Sequence, residues 1–173
     1  MYMKMAAMVV TLAGSAWAEP QHVYLEAQDG TRINIATVEI TDGGDYTVEM
    51  ASDPFADHFL SMRPFRCLEG PQKHWCHVPY PYEITRNIGA DLTDHEYDFL
   101  FLWKGSTEYG SNMWNGGYYK LGEEDGRLVG TLHERDMDVL SAPPDAGNLR
   151  PLEATHLHES DPASHRLPRM VIE

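Results

Sequence analysis

Apolar and polar residues alternate along the first third of this chain. Val23, Leu25 and Ala27 stand at every second position against Tyr24, Glu26 and Gln28, and Asp29-Gly30 then makes a turn. Ile33, Ile35, Thr37 and Glu39 alternate with Asn34, Ala36, Val38 and Ile40, and Thr41-Asp42-Gly43-Gly44 is a second turn before Tyr46, Val48 and Met50. Turns of the Asp-Gly kind between β-branched runs are the strongest short-range hairpin signal. Residues 21–50 therefore read as a β-meander.

Residues 59–81, FLSMRPFRCLEGPQKHWCHVPYP, hold both cysteines in two aromatic-rich runs separated by Glu69-Gly70-Pro71-Gln72. Facing positions whose numbers sum to 143 pair Cys67 with Cys76, Leu68 with Trp75 and Glu69 with His74. This is an antiparallel hairpin with a cross-strand disulfide, a bridge worth roughly 2.5–3 kcal/mol by chain-entropy arithmetic for a loop of about ten residues.

Farther on, Thr93-Asp94-His95-Glu96 fits a capping box, with Thr93 at the N-cap and Glu96 at N3 of a short helix. The run 97–103, YDFLFLW, is either a buried strand or a continuation of that helix, because an unbroken apolar run has no diagnostic period. Residues 105–117 form a Gly- and Asn-rich loop, and 118–121 and 127–133 flank a third hairpin turn at 122–126. Beyond Leu140 the pattern dissolves into a Pro- and His-rich stretch, and Met170-Val171-Ile172 reads as a final edge strand. Leu132-His133-Glu134-Arg135-Asp136 echoes Leu157-His158-Glu159-Ser160-Asp161, too short a match to be a repeat. The expected fold is mainly β: one antiparallel meander of about seven to nine strands, forming a small barrel or strongly curved sheet with one or two short helices. It occupies residues 19–140, with 141–173 as an extended arm packed on it.

The first 18 residues change the picture of location. Lys4, an apolar run over residues 5–14 and Ala16-Trp17-Ala18 have the layout of a secretory signal peptide cleaved after Ala18. Ser15 stands where a lipoprotein would carry its acylated cysteine. The run is too short to span a bilayer of ~30 Å. Two cysteines in an exported chain imply one disulfide formed in an oxidising compartment, so a soluble periplasmic or secreted protein is expected. The full chain carries 13 Lys+Arg against 27 Asp+Glu, a net charge of −14. That balance disfavours nucleic acid, whose binding requires cations to neutralise phosphates.

The sequence carries no G-x-S-x-G, Walker, G-x-G-x-x-G, H-E-x-x-H or EF-hand motif, so no catalytic residue is assigned. Glu108, Glu123, Glu124, Glu134 and Asp136 offer carboxylates for an envelope-polymer hydrolase, as they would in any acidic chain. The aromatic loop, with Trp103, Tyr109, Trp114 and Tyr118 and the amides of Asn112 and Asn115, is the expected ligand surface, since aromatic faces bury apolar ligand area while amides orient it. A divalent transition metal is the one cofactor considered, held by His156, His158 and His165 of the tail. His74 and His77 fall on opposite faces of a strand and do not share an ion. Arg63, Arg66 and Arg86 pair with Glu69 or Glu83, or else line a small anion pocket.

The segments FLSMRPFRCLEGPQKHWCHVPYPYEI, YDFLFLWK and WNGGYYKLGEEDGRLVGTLHERD together resemble a family of small exported proteobacterial proteins without an assigned activity. The strand–turn–strand WNGGYYKL…DGRLVGTL is similar to the meander of small calycin-like barrels. The resemblance implies a domain and no chemistry. The leading expectation is a periplasmic module that binds a small molecule or a protein partner without catalysis. The alternatives are a metal-binding accessory protein and the hydrolase.

Overall fold

A computed structural model describes residues 19–60 and 64–173. The signal-peptide expectation over residues 1–18, and Arg63, lie outside the described residues. The chain forms β1 (Gln21–Glu26), β2 (Arg32–Ile40), β3 (Tyr46–Met50), β4 (Ala56–Phe59), β5 (Pro64–Leu68), β6 (Lys73–Val78), a short helix α1 (Thr93–Tyr97), β7 (Leu100–Gly105), β8 (Gly116–Glu124), β9 (Arg127–Arg135), a two-residue β10 (His158–Glu159) and β11 (Arg169–Ile172). The fold is mainly β, as the alternation implies.

All the strands join one antiparallel sheet, in the order β3-β2-β1-β11-β9-β8-β7-β6-β5-β4, with β10 paired to β9. Its two edges, β3 and β4, are consecutive in sequence and joined only by residues 51–55. A flat sheet of ten strands would set its edges ~43 Å apart at ~4.8 Å per gap, whereas such a link reaches only ~20 Å. The sheet must curl, and it does so into a half-barrel. Arg66 of β5 reaches across the gap, donating to the carbonyls of Ala51 at 3.0 Å and Ser52 at 2.8 Å while lying over the Phe55 ring.

The last strand corrects the edge-strand expectation. β11 is central: Val23 pairs with Ile172 and Leu25 with Met170 on one side, and Met170 with Gly130 and Ile172 with Leu128 on the other. Among the described residues, it alone joins the N-terminal meander to the other strands by a backbone ladder. Met170, Val171 and Ile172 are all fully buried.

Val23, Leu25, Trp75, Phe101, Tyr119, Met170 and Ile172 belong to one core cluster on the concave side. In β2, Ile35 and Ala36 are both buried because the register against β1 slips between Val23 and Tyr24. This bulge shifts the phase of alternation, so that Ile33 and Ile35 join the same core as Ala36, Val38 and Ile40. A second cluster covers the convex side, where Leu100, Leu102 and Tyr118 meet Met137 and Leu140, which follow β9, and Leu152 of the C-terminal arm. β7 is thus buried on both faces, and the run 97–103 is split: Tyr97 closes α1, Asp98 and Phe99 turn, and Leu100 to Trp103 are strand. At the β8–β9 turn, Asp125 and Gly126 both have positive φ, 52° and 78°, the type I′ geometry of a two-residue hairpin.

The capping box does not form. Leu92 occupies the N-cap without a side-chain bond, and Asp91 Oδ1 receives the Thr93 N–H instead. Glu96 has other partners. β7 pairs with β8 only at Phe101–Gly117 and Leu102–Gly116, and beyond that point Glu96 Oε1 accepts from Leu121 N and Lys120 Nζ, both at 2.8 Å, while Oε2 accepts from the Tyr118 hydroxyl. The carboxylate stands in for a missing strand. Two neighbouring acids are equally committed: Asp94 of α1 takes the N–H groups of Thr85 and Arg86, and Asp98, at the C-cap, takes the Tyr46 hydroxyl at 2.8 Å and the Arg86 guanidinium.

His95 is fully buried against Tyr46 and Phe99, with no hydrogen-bond partner at either ring nitrogen. Burial holds its pKa down at about 4. Because the folded value lies below the unfolded one of about 6.5, the unfolded chain takes up a proton that the folded chain refuses. The contribution is fully present above pH ~6.5 and is lost as pH falls toward ~4, on the order of 3 kcal/mol in all. His95→Phe is expected to flatten denaturation midpoints between pH 6.5 and 4 relative to wild type. It should also raise stability at pH 7 by about 1–3 kcal/mol, by removing an unpaired polar ring from the core. Urea denaturation across that range checks both effects, and an unchanged pH slope contradicts them.

Candidate functional site

A cleft of about 380 Å³ opens at one end of the half-barrel, between the β1–β2 turn (27–29), the β5–β6 turn (71–73) and the arm at 163–166. Three contacts position its walls. Gln28 Nε2 donates to Pro162 O at 2.6 Å, Lys73 Nζ donates to Ser164 O at 2.9 Å, and Arg166 Nη2 donates to Glu69 O at 3.2 Å. Lys73 also sits 4.2 Å from the centroid of the Trp103 ring, a cation–π contact that holds the ammonium at the rim.

His165 lines the cleft with its side chain almost wholly buried. Its Nε2 meets Glu134 Oε1 at 2.7 Å and its Nδ1 has no partner. With the proton on Nε2, facing the carboxylate, Nδ1 offers a lone pair. The Trp75 ring packs edge-on against His165, 5.2 Å between centroids, and its indole N–H is likewise unpartnered.

The charge pattern sets this cleft apart. In a chain with 27 acids, Lys73 and Arg166 bond to carbonyl oxygens, and neither is ion-paired with a carboxylate among the described residues. Arg32, Arg86, Lys120, Arg127, Arg150 and Arg169 each meet an acid, while Arg66, Lys104 and Arg135 also bond to carbonyl oxygens but do not line the cleft. Asp29 is the one acid on the lining, and its Oδ1 is turned to the Thr31 N–H of its own turn. A larger cleft, about 470 Å³, lies along β3. It carries Glu19, Glu39 and Asp45 with no cation and is bounded by the first described residue, so it offers less chemistry.

The residues expected to form an aromatic ligand surface do not share one. Trp103 is half-buried beside the inner core, whereas Tyr118 lies in the convex cluster with its hydroxyl on Glu96. Tyr109 and Trp114 project into solvent, 101% and 70% exposed. Asn112 Oδ1 receives the Trp114 N–H and Asn115 O receives the Trp103 N–H, so both residues shape the loop itself. Of the tail histidines, His156 and His158 are exposed while His165 is buried on Glu134. Among the described residues the three do not gather their ring nitrogens as a metal would need. Another trio, His58, Glu69 and His74, does.

The arginine pairings also differ from expectation: Arg66 donates to the Ala51 and Ser52 carbonyls, and Arg86 pairs with Asp98. The carboxylates considered for hydrolysis are dispersed. Glu108 receives the Gly105 N–H, Glu124 pairs with Arg169, Asp136 receives the Asp138 N–H and Glu134 holds His165. Lys73 and Arg166 were not singled out from the sequence, because a lone lysine and a lone arginine carry no signal until the fold brings them to one mouth. No family model matches the chain, and no curated protein or solved structure matches it either.

Gly117 faces the Trp75 ring that underlies this site: a Cβ there would come 2.6 Å from Trp75 Cζ3 and 3.1 Å from Cη2. Gly117→Ala is expected to push the indole toward His165 and to cost about 1–3 kcal/mol through overpacking, with a changed near-UV aromatic spectrum. Gly122→Ala, on the same strand with nothing within 4 Å of its Cβ, serves as the control and should leave the spectrum unaltered. Denaturation and circular dichroism on the two variants check this.

Proposed function

We propose that this chain is an exported binding module that takes small anionic molecules, carboxylates or phosphate esters, in the mouth cleft and performs no chemistry on them. One observation carries the reading: Lys73 and Arg166 flank a cleft without carboxylate partners in a strongly acidic protein. A ligand anion would complete their charge, and the guanidinium favours planar oxyanions that it can meet with two N–H groups. Ser164, the hydroxyl on the lining, donates to Asp161 O, which favours binding over nucleophilic attack. The Cys67–Cys76 bridge and the pattern of residues 1–18 support an oxidising, extracytoplasmic setting. Among the described residues no helix is long and apolar enough to cross a membrane.

The exposure of Tyr109 and Trp114 favours a second reading, contact with a protein partner through the β7–β8 loop; aromatic anchors are enriched at such interfaces. The two readings are separable, because substituting both residues with serine should leave anion binding intact.

Titration with citrate, glutamate and inorganic phosphate at low salt, read by tryptophan fluorescence, tests the leading reading. Trp103 lies under Lys73, so a saturable change in emission is expected on binding. Lys73→Met with Arg166→Met should weaken the tightest of these ligands at least tenfold, and added salt should weaken it in the wild type. Absence of saturable binding, or binding indifferent to the double substitution, overturns the proposal.

A further inference from the structure

We propose that His58, Glu69 and His74 form a binding site for a divalent first-row transition-metal ion at the β4–β5–β6 end of the sheet, on the other side of the β5–β6 turn from the mouth cleft. His58 comes from edge strand β4, Glu69 follows β5, and His74 lies in β6. His58 Nε2 is 3.0 Å from Glu69 Oε1, the two imidazole centroids are 5.0 Å apart, and one donor atom from each residue lies within 4.8 Å of the other two.

Two features make this more than a chance meeting of polar side chains. The Cys67–Cys76 pair is the rung next but one to the Glu69/His74 positions, so the hairpin carrying two of the three donors is covalently held. His74 is buried, which restricts its ring to few rotamers and spares the ion the entropy of ordering it. Two imidazoles and one carboxylate suit Zn²⁺, Ni²⁺ or Cu²⁺ rather than Ca²⁺ or Mg²⁺, which prefer all-oxygen sets. Three protein ligands leave positions for water.

The present geometry also says what must move. Gly70 N–H donates to His74 Nδ1 at 3.0 Å. An ion taken at Nδ1 replaces that N–H. An ion taken at Nε2 shifts the ring proton to Nδ1, where it faces the Gly70 donor. Either way the hydrogen bond is given up, and the Gly70 amide becomes a reporter of occupancy. Lys104 and Arg166 act on His74 as nearby positive charges, against the negative charge of Glu69.

The test is calorimetric titration of the tag-free protein, without residues 1–18, with ZnCl₂ and with NiSO₄, followed by ¹⁵N-resolved NMR at each addition. One ion per chain is expected, with the Gly70 amide among the most shifted signals. His58→Ala and Glu69→Gln, both at accessible positions that the fold does not need, should each weaken binding at least tenfold. A variant with His156→Ala and His158→Ala should bind as wild type. Failure to bind either ion overturns the proposal, as does binding that survives both His58→Ala and Glu69→Gln, or that disappears with the tail pair. Arg166, which bonds Glu69 O and acts on His74 as a positive charge, is unchanged in every one of these variants, so the metal site is tested apart from the Lys73→Met, Arg166→Met comparison used for the mouth cleft.

Discussion

Everything in this structure depends on a four-residue strand at the end of the chain. β11 bonds to β1 on one side and to β9 on the other, and these two ladders fuse a three-stranded meander to a six-stranded one. Closing that seam brings Val23 against Ile172, so the native sheet is complete only when the two ends of the domain meet. Such a long-range contact is costly in loop entropy and forms late. The driving force is local: three consecutive fully buried side chains, two of them in the inner core.

Curvature follows from the same topology. With the seam closed by β11, the only freedom left to edges β3 and β4 is the five-residue link between them, too short for a flat sheet. The concave side fills with aromatic and branched residues, and the convex side of β6–β8 is sealed by the arm. The weak point is where β8 outruns β7, and there the chain substitutes a buried carboxylate for a strand. Glu96 satisfies a backbone N–H, a hydroxyl and an ammonium at once, while Asp94 and Asp98 organise the loop before α1. A buried acid with this many donors is a structural device rather than a spare catalytic group. That argues for reading the acidity of the chain as architecture, and for looking for function where the cations are left over.

Much of the fold was legible. The Asp-Gly turns, the period-two runs and the facing of Cys67 with Cys76 and Leu68 with Trp75 follow from local chemistry and are present in the structure. What was not legible was long-range. Met170-Val171-Ile172 carries the same signal whether it is central or at an edge, and only its partners decide. Thr93 to Glu96 satisfies a capping pattern, yet a buried N–H on β8 and the Tyr118 hydroxyl compete successfully for the carboxylate. The shift of phase at Ile35 and Ala36 was visible as two apolar sets out of step, but a bulge can be assigned only when its partner strand is known. The echoed Leu-His-Glu segments lie side by side, His158 opposite Glu134 and Glu159 opposite His133. The mouth cleft, built from two turns and a tail segment, has no contiguous signature at all.

The mouth cleft inherits its geometry from this arrangement, since the arm that supplies Ser164, His165 and Arg166 runs directly into β11. Native-state hydrogen exchange tests the central claim most directly. The amides of Met170, Val171 and Ile172 should exchange only through global unfolding, with the same free energy as those of Val23 and Leu25, while the edge strands Tyr46–Met50 and Ala56–Phe59 exchange through smaller openings. Exchange of the β11 amides through a low-energy local opening, with β1 and β9 still protected, would contradict the claim that the last strand holds the sheet together.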